Sequence, residues 1–205
     1  MQDKAGIHVL KEIVAATNNA GKLAEFRAIL EPLGFALVSM AEAGICVDPE
    51  ETGETFSENA RIKAAAAAAA AGMPALADDS GLCVDALGGA PGVYTARFGG
   101  EIPQAAKNAL LLEKLAETAD PDRTARFVSA VCLALPDGAC IEAEGVCEGS
   151  ILLAPRGGNG FGYDPIFADA LGRSFGELPP EEKNRISHRA AALAELAKKL
   201  SVSPL

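Results

Sequence analysis

The sequence has 205 residues, of which 49% are hydrophobic and 22% are charged, a composition that fits a folded globular protein and excludes a disordered chain. Its 28 acidic residues outnumber its 18 Lys and Arg residues, so the formal net charge is −10. This charge disfavours general nucleic-acid binding, which depends on many cationic contacts with phosphates, but it permits a small anion held by local cations and a metal.

The N-terminal part of the chain predicts alternating strands and helices. A short β-tending run over residues 12–16 predicts a buried strand that ends near Thr17. Apolar residues at helical spacing then predict a helix over residues 21–30, and residues 35–38 predict a second strand. The acidic stretch over residues 41–53 is predicted to be a loop.

A capping box predicts the start of the next helix. Thr55 and Glu58 have the S/T-x-x-E spacing, and the alanine tract that follows favours a helix that ends at Gly72. Residues 74–77 predict a third strand, which leads directly into an acidic turn at residues 78–81.

The second half of the chain predicts further elements around the same sheet. Residues 103–116 predict a helix, and residues 126–135 and 140–151 predict the two strands of a hairpin. Residues 155–164 predict a glycine-rich loop, and residues 179–200 predict a helical region in two pieces. Pro136-Asp137-Gly138 supplies the hairpin turn. This order predicts an α/β or mixed α+β fold with one central sheet. The length predicts a single domain over residues 1–205, with residues 1–11 as a flexible N-terminal extension.

The five cysteines predict neither a zinc site nor a disulfide framework, because their number is odd and no pair has C-x-x-C spacing. We expect reduced, mostly buried thiols in a cytoplasmic protein. Residues 1–12 lack the apolar run of a signal peptide, and no stretch approaches the ~18 apolar residues of a membrane helix.

Three common kinds of catalytic site are disfavoured by the sequence. It contains no G-x-x-x-x-G-K-[ST] phosphate loop and no G-x-S-x-G nucleophile elbow. Because its only histidines are His8 and His188, a metal site built from several histidines is also disfavoured. Polar clusters remain. Residues 17–22 lie at a strand-to-helix junction, where backbone N–H groups and Lys22 attract anions, although such a turn is often purely structural.

Two acidic clusters are candidates for metal binding. Glu50 and Glu51 precede the capped helix, where carboxylates often serve only the helix dipole. Asp78 and Asp79 follow an apolar strand, and carboxylates of this kind suit Mg²⁺ together with phosphate oxygens and water. The alternative for the second cluster is a turn with two solvated aspartates.

The last cluster joins an aromatic loop to a basic segment. Glycines beside Phe161 allow a flat ligand to approach, so its ring can stack on a base. Asp164, His188 and Arg189 can read the edge of that base. The alternatives are core packing for Phe161 and Tyr163, and a solvated helix face for the His–Arg pair.

Together these segments resemble the inosine triphosphate pyrophosphatase family. Five motifs carry the resemblance, from about Ile13 to Leu200: T-x-N-x-x-K, E-E-T-G-x-T-F-x-E-N-A, A-D-D-S-G-L-x-V-D-A-L-G-G-A-P-G, G-F-G-Y-D-P-I-F and E-E-K-x-x-I-S-H-R. The resemblance implies an elongated mixed sheet flanked by helices, with two lobes around a deep nucleotide-binding cleft, and a homodimer. It also implies Mg²⁺-dependent hydrolysis of ITP, dITP and XTP to the monophosphate and pyrophosphate.

The resemblance also implies roles for individual residues. Asp79 matches the catalytic proton acceptor, and Glu51 and Asp79 match the metal-associated carboxylates, with Asp78 in support. A substrate-binding role for Lys63 is implied by the resemblance alone, because the surrounding sequence predicts only a solvated helix residue at this position. The positions that match substrate contacts are Thr17, Asn18, Asn19, Ala20, Gly21, Lys22, Lys63, Ser80, Phe161, Gly162, Tyr163, Asp164, Lys183, His188 and Arg189.

One departure and two alternatives accompany this interpretation. Many family members have Gly where this chain has Asn18, a residue that tolerates positive φ. The alternatives are a Maf-like pyrophosphatase acting on modified pyrimidines or methylated nucleotides, and a nucleotide-binding protein without catalysis. A full set of carboxylates and lysines argues against the second.

Overall fold

Six strands form one mixed sheet in a computed structural model that describes residues 11–119 and 122–202. The strands are β1 Lys11–Ala15, β2 Phe35–Ser39, β3 Ala75–Val84, β4 Thr124–Ala134, β5 Cys140–Ile151 and β6 Phe167–Ala168. The helices are α1 Ala20–Leu30, α2 Phe56–Ala71, α3 Gln104–Glu117, α4 Pro180–Ile186 and α5 His188–Val202. The predicted N-terminal extension lies outside the described residues, apart from Lys11.

The strand order is β2-β1-β3-β4-β5-β6. β1 pairs parallel with β2 and β3, whereas β3, β4, β5 and β6 pair antiparallel in succession. The predicted mixed sheet and the β4–β5 hairpin are therefore confirmed. The short β6 was not predicted, because two residues carry no periodicity.

Local sequence signals account for the ends of α2. The Thr55 side chain accepts from the backbone N–H of Glu58, and the Glu58 side chain accepts from the backbone N–H of Thr55. Gly72 ends the helix with a φ of 63°, in the left-handed region that favours glycine. The predicted capping box and helix end are confirmed.

The prediction of an acidic turn at residues 78–81 is wrong. These residues lie inside β3, which continues to Val84, and Asp79 is paired with Ala130 of β4. Because side chains alternate along a strand, Asp78 and Asp79 lie on opposite faces of the sheet. The predicted strand ended before Asp78 because buried strands rarely carry charged residues. In the structure, cations on both faces of the sheet compensate the charges of Asp78 and Asp79.

Three apolar clusters build two lobes. In the first lobe, α1 and α5 cover one face of the sheet around Leu76 and Leu133, and α2 covers the other face around Ala77 and Cys132. The second lobe packs α3 against the far halves of β3, β4 and β5. These long strands run through both lobes, so the middle of β3 lies at the boundary between them.

The cysteines are less buried than the sequence predicts. All five cysteines are free, but only Cys132 is buried, so the expectation of mostly buried thiols is wrong. In residues 11–119 and 122–202, no helix combines the length and the apolar character that crossing a membrane requires.

Candidate active site

A cleft of about 330 Å³ opens between the lobes. It is lined by most of the residues that the sequence predicted for the site: Thr17, Asn18, Asn19, Lys22, Glu51, Lys63, Asp79, Ser80, Phe161, Gly162, Tyr163, Asp164, Lys183, His188 and Arg189. The fold therefore brings together five segments that are far apart in sequence. The two other predicted contacts, Ala20 and Gly21, are not among the lining residues.

The loop before α1 is held by its own side chains. Thr17 Oγ1 accepts from the backbone N–H of Asn19 at 3.1 Å, and Asn19 Oδ1 caps α1 by accepting from the backbone N–H of Lys22 at 3.1 Å. Asn18 does not have a positive φ, so its replacement of a family glycine causes no backbone strain. A Cβ on Gly21 would lie 2.6 Å from the Phe161 ring, so the glycine allows that ring to approach α1.

On one face of β3, Asp79 lies in a network with Lys63 and Glu51. Lys63 Nζ donates to Asp79 Oδ1 at 2.9 Å and to Glu51 Oε1 at 2.7 Å, and Asn59 Nδ2 donates to Asp79 Oδ2 at 3.3 Å. Burial raises the pKa of Asp79 despite the nearby Lys63 charge. Burial opposes the charge on Lys63, but the two carboxylates outweigh it and raise the pKa, so Lys63 stays protonated. The interpretation of Lys63 as a solvated helix residue is therefore wrong.

The two carboxylates suit a divalent cation. Because Glu51 and Asp79 both bind the ammonium group of Lys63, a cation is accommodated between them. Mg²⁺ commonly takes one or two protein carboxylates and completes its coordination with substrate phosphates and water. Glu51 and Asp79 therefore fit Mg²⁺ without further protein ligands.

On the opposite face, Asp78 lies in a buried ionic network. Lys22 Nζ donates to Asp78 Oδ1 at 2.9 Å, and Arg189 Nε donates to Asp78 Oδ2 at 2.9 Å. Arg189 also contacts Glu25 and donates to Ser80 Oγ at 2.8 Å. Burial alone would raise the pKa of Asp78, but Arg189 and Lys22 hold it well below its usual range. Asp78 is therefore ionised and supports the cleft.

The sequence positions Arg189 and His188 at the start of α5. Ser187 has an extended backbone between α4 and α5, and its Oγ accepts from the backbone N–H of Ala190 at 3.2 Å. Arg189 is 1% exposed and His188 is 4% exposed. The solvated helix face considered for this pair is therefore excluded.

Lys183 and Asp164 hold the aromatic loop. Lys183 Nζ donates to Asp164 Oδ2 at 2.6 Å and to Glu25 Oε1 at 2.8 Å, and it lies 4.5 Å from the centre of the Phe161 ring. Asp164 Oδ2 also accepts from the backbone N–H of Phe161 at 2.8 Å. The half-buried Phe161 ring is thus fixed at the cleft wall, whereas Tyr163 is a core residue whose hydroxyl donates to a backbone carbonyl.

His188 provides a neutral polar group in the cleft wall. Its ring stacks on Phe127 at 4.6 Å between centroids, with 14° between the planes. Burial and the charge of Arg189 hold the pKa of His188 well below its usual 6.5. Within the described part of the chain, its buried Nδ1 has no hydrogen-bond partner.

The unfolding free energy should therefore fall as the pH is lowered. Below pH 6.5 the unfolded chain takes up a proton at His188 that the folded protein excludes, so stability falls by up to about 1.4 kcal/mol per pH unit. Denaturant unfolding of the wild type and His188→Gln from about pH 7.5 to about pH 5 measures this effect. The variant should have the shallower slope, and equal slopes would contradict the assignment.

Some residues around the cleft were not predicted. Gln104 Nε2 donates to Asn108 Oδ1 at 2.9 Å, and Asn108 Nδ2 donates to the carbonyl of Gly162 at 3.2 Å, which ties α3 to the aromatic loop. Glu25 pairs with the buried cations Lys183 and Arg189, but its sequence context is that of an ordinary helical glutamate. No local pattern in the sequence distinguishes these residues from solvated helix positions.

The chain is similar to several known proteins. Residues 13–199 match the Ham1 family. A protein of Exiguobacterium sibiricum named dITP/XTP pyrophosphatase is 52% identical over 187 residues, which cover 90% of this chain and 94% of that protein. A protein of the same name from Deinococcus radiodurans is 50% identical over 188 residues, covering 91% of this chain and 92% of that protein. The structure of a HAM1 protein from Coxiella burnetii has a TM-score of 0.85 and 44% identity, over 95% of this chain and 100% of that one.

Proposed function

The chain belongs to the Ham1 family, and from that premise we propose that it hydrolyses the non-standard purine nucleotides ITP, dITP and XTP to the monophosphate and pyrophosphate. One observation carries the proposal. A single cleft combines the Glu51–Lys63–Asp79 network with a fixed aromatic ring, Phe161. The network suits the binding of metal-bound phosphates, and the ring suits the binding of a purine.

The phosphate end of the cleft contains the reacting groups. We propose that Asp79 orients the attacking water and accepts its proton, since a raised pKa makes its carboxylate a better base. Lys63 and Lys22 stabilise the negative charge of the triphosphate and of the departing pyrophosphate. Glu51 and Asp79 would hold Mg²⁺, which would supply neutralisation of the phosphate charge.

The base end of the cleft supplies selectivity. Phe161 stacks on the purine, and Lys183, which is paired with Asp164 beside that ring, serves the base rather than the phosphates. Hypoxanthine and xanthine present a 6-oxo acceptor where adenine presents a 6-amino donor. A site with His188 and Arg189 at this edge leaves a buried polar group unpaired with adenine, which discriminates by roughly 10⁴-fold.

The proposal is tested by pyrophosphate release from a substrate panel with Mg²⁺ and with EDTA. We expect rapid release from ITP, dITP and XTP, slow release from GTP and ATP, and loss of activity in EDTA that added Mg²⁺ restores. Equal rates on ITP and ATP would contradict the recognition of the 6-oxo group, and equal rates on ITP and GTP would contradict selectivity against guanine. Full activity in EDTA would contradict the metal requirement. Preferential hydrolysis of modified pyrimidines would favour the Maf-like alternative, and tight ITP binding without pyrophosphate release would indicate a binding protein.

We further propose that the protein acts as a homodimer in the cytoplasm, as the family resemblance implies. Light scattering of the purified protein tests this proposal, and a monomeric mass across the concentration range would contradict it.

A further inference from the structure

Two cysteines and a glutamate meet on one face of the β4–β5 hairpin. In the register of the hairpin, Cys132 lies directly opposite Glu142, and Ala134 lies directly opposite Cys140. Because directly paired residues and every second residue share a face, the three side chains lie on the same side of the sheet. Their sulfur and carboxylate oxygen atoms all lie within 4.8 Å of one another.

We infer that Cys132, Cys140 and Glu142 form a second metal site, separate from the proposed magnesium site, that binds a thiophilic divalent cation of the Zn²⁺ class. Zinc binds cysteine sulfur at about 2.3 Å and carboxylate oxygen at about 2.0–2.2 Å. Tetrahedral ligands at these distances lie roughly 3.3–3.8 Å apart, so small side-chain rotations suffice to close the site. Thiolates favour zinc over magnesium, which prefers oxygen ligands.

The hairpin geometry favours a metal over a disulfide. Cys140 is the diagonal neighbour of Cys132, and diagonal neighbours in an antiparallel pair have Cα atoms about 7–8 Å apart. A disulfide requires a Cα separation below about 7 Å unless the backbone moves. A bridging metal ion spans the longer separation because it adds two metal–sulfur bonds between the cysteines.

The surroundings of the cluster compensate its charge. Two thiolates and a carboxylate carry one negative charge more than a divalent cation neutralises. Arg61 of α2 pairs with Glu142 Oε1 at 2.5 Å, and Lys199 of α5 donates to the Glu142 backbone carbonyl at 2.6 Å. The Arg61 contact uses one carboxylate oxygen, so Oε2 can bind the metal while the ion pair persists.

The site is open to solvent on one side. Cys132 is buried under α2, whereas Cys140 is exposed at the start of β5. Three protein ligands leave the fourth tetrahedral position for water or another small ligand. No local sequence pattern indicates this site, because the two cysteines are separated by a hairpin turn and lack the spacing of a zinc motif.

Titration of the reduced full-length protein with Co²⁺, followed by competition with Zn²⁺, tests the site. We expect one thiolate-bound Co²⁺ per chain, measured by the thiolate-to-cobalt absorption of a tetrahedral site, and displacement of this absorption by Zn²⁺. Cys140→Ser should weaken binding at least about 10-fold, because loss of a direct ligand exceeds the effect of an outer-shell change. Cys46→Ser is the matched control, since Cys46 is also an exposed cysteine but lies outside the cluster, and it should bind as the wild type does.

Glu142→Gln provides a second variant that keeps both thiols, and it should also weaken Co²⁺ binding. The inference is overturned if the wild type shows no thiolate-to-cobalt absorption, or if Cys140→Ser binds as tightly as Cys46→Ser.

Discussion

Replacing Asp79 with Asn is expected to lower kcat for dITP by about 10³-fold, within the usual range for loss of a positioned proton acceptor. The amide cannot accept the proton of the attacking water, and it is a weaker ligand for Mg²⁺ than a carboxylate. The substitution is nearly isosteric, and its amide oxygen can still accept from Lys63 or Asn59. The loss should therefore appear in turnover while the protein remains folded.

Asp85→Asn is the matched control for this experiment. Asp85 follows the same strand and is also paired with a cation, Arg126 at 2.8 Å, but it does not line the cleft. Its kcat should equal that of the wild type. Circular dichroism and Tm should show that both variants are folded. Near-normal turnover of Asp79→Asn would remove this residue from its proposed role.

The sequence predicted the elements that local signals determine. The capping box at Thr55 and the glycine at position 72 predicted both ends of α2, because such signals act within a few residues. The two helical pieces predicted over residues 179–200 are α4 and α5, but their separation at Ser187 is seen only in the structure. The extent of β3 could not be predicted in this way. Its charged residues are stable in a strand only because α1, α2 and α5 bring cations to both faces.

The candidate site was predictable as a set of motifs but not as a network. The local sequence predicts that Lys63 is a solvated helix residue. Its contacts with Glu51 and Asp79 depend on the position of α2 above β3. Glu25 lies outside every recognised motif, yet it pairs with Lys183 and Arg189. Such long-range ion pairs depend on how the helices pack on the sheet, which no local pattern encodes.

Replacing Arg189 with Met is expected to lower the free energy of unfolding by about 3–5 kcal/mol, the usual cost of removing one partner from a buried ion pair. Arg189 is 1% exposed and binds Asp78 and Glu25 at once. Its loss leaves Asp78 with Lys22, and Glu25 with Lys183, in a buried environment where burial penalises every unbalanced charge. Urea unfolding monitored by circular dichroism measures the change.

A matched substitution and a double variant identify the cause of this loss. Arg27→Met removes the same side chain from an exposed pair with Glu42 and should cost no more than about 1 kcal/mol. If the loss in Arg189→Met comes from unbalanced charge, adding Glu25→Gln should recover part of it, because the double variant removes one of the stranded carboxylates. A cost for Arg189→Met as small as that for Arg27→Met would show that the network does not stabilise the fold. The buried ions would then serve only to orient Ser80 and the cleft, since Arg189 donates to Ser80 Oγ at 2.8 Å.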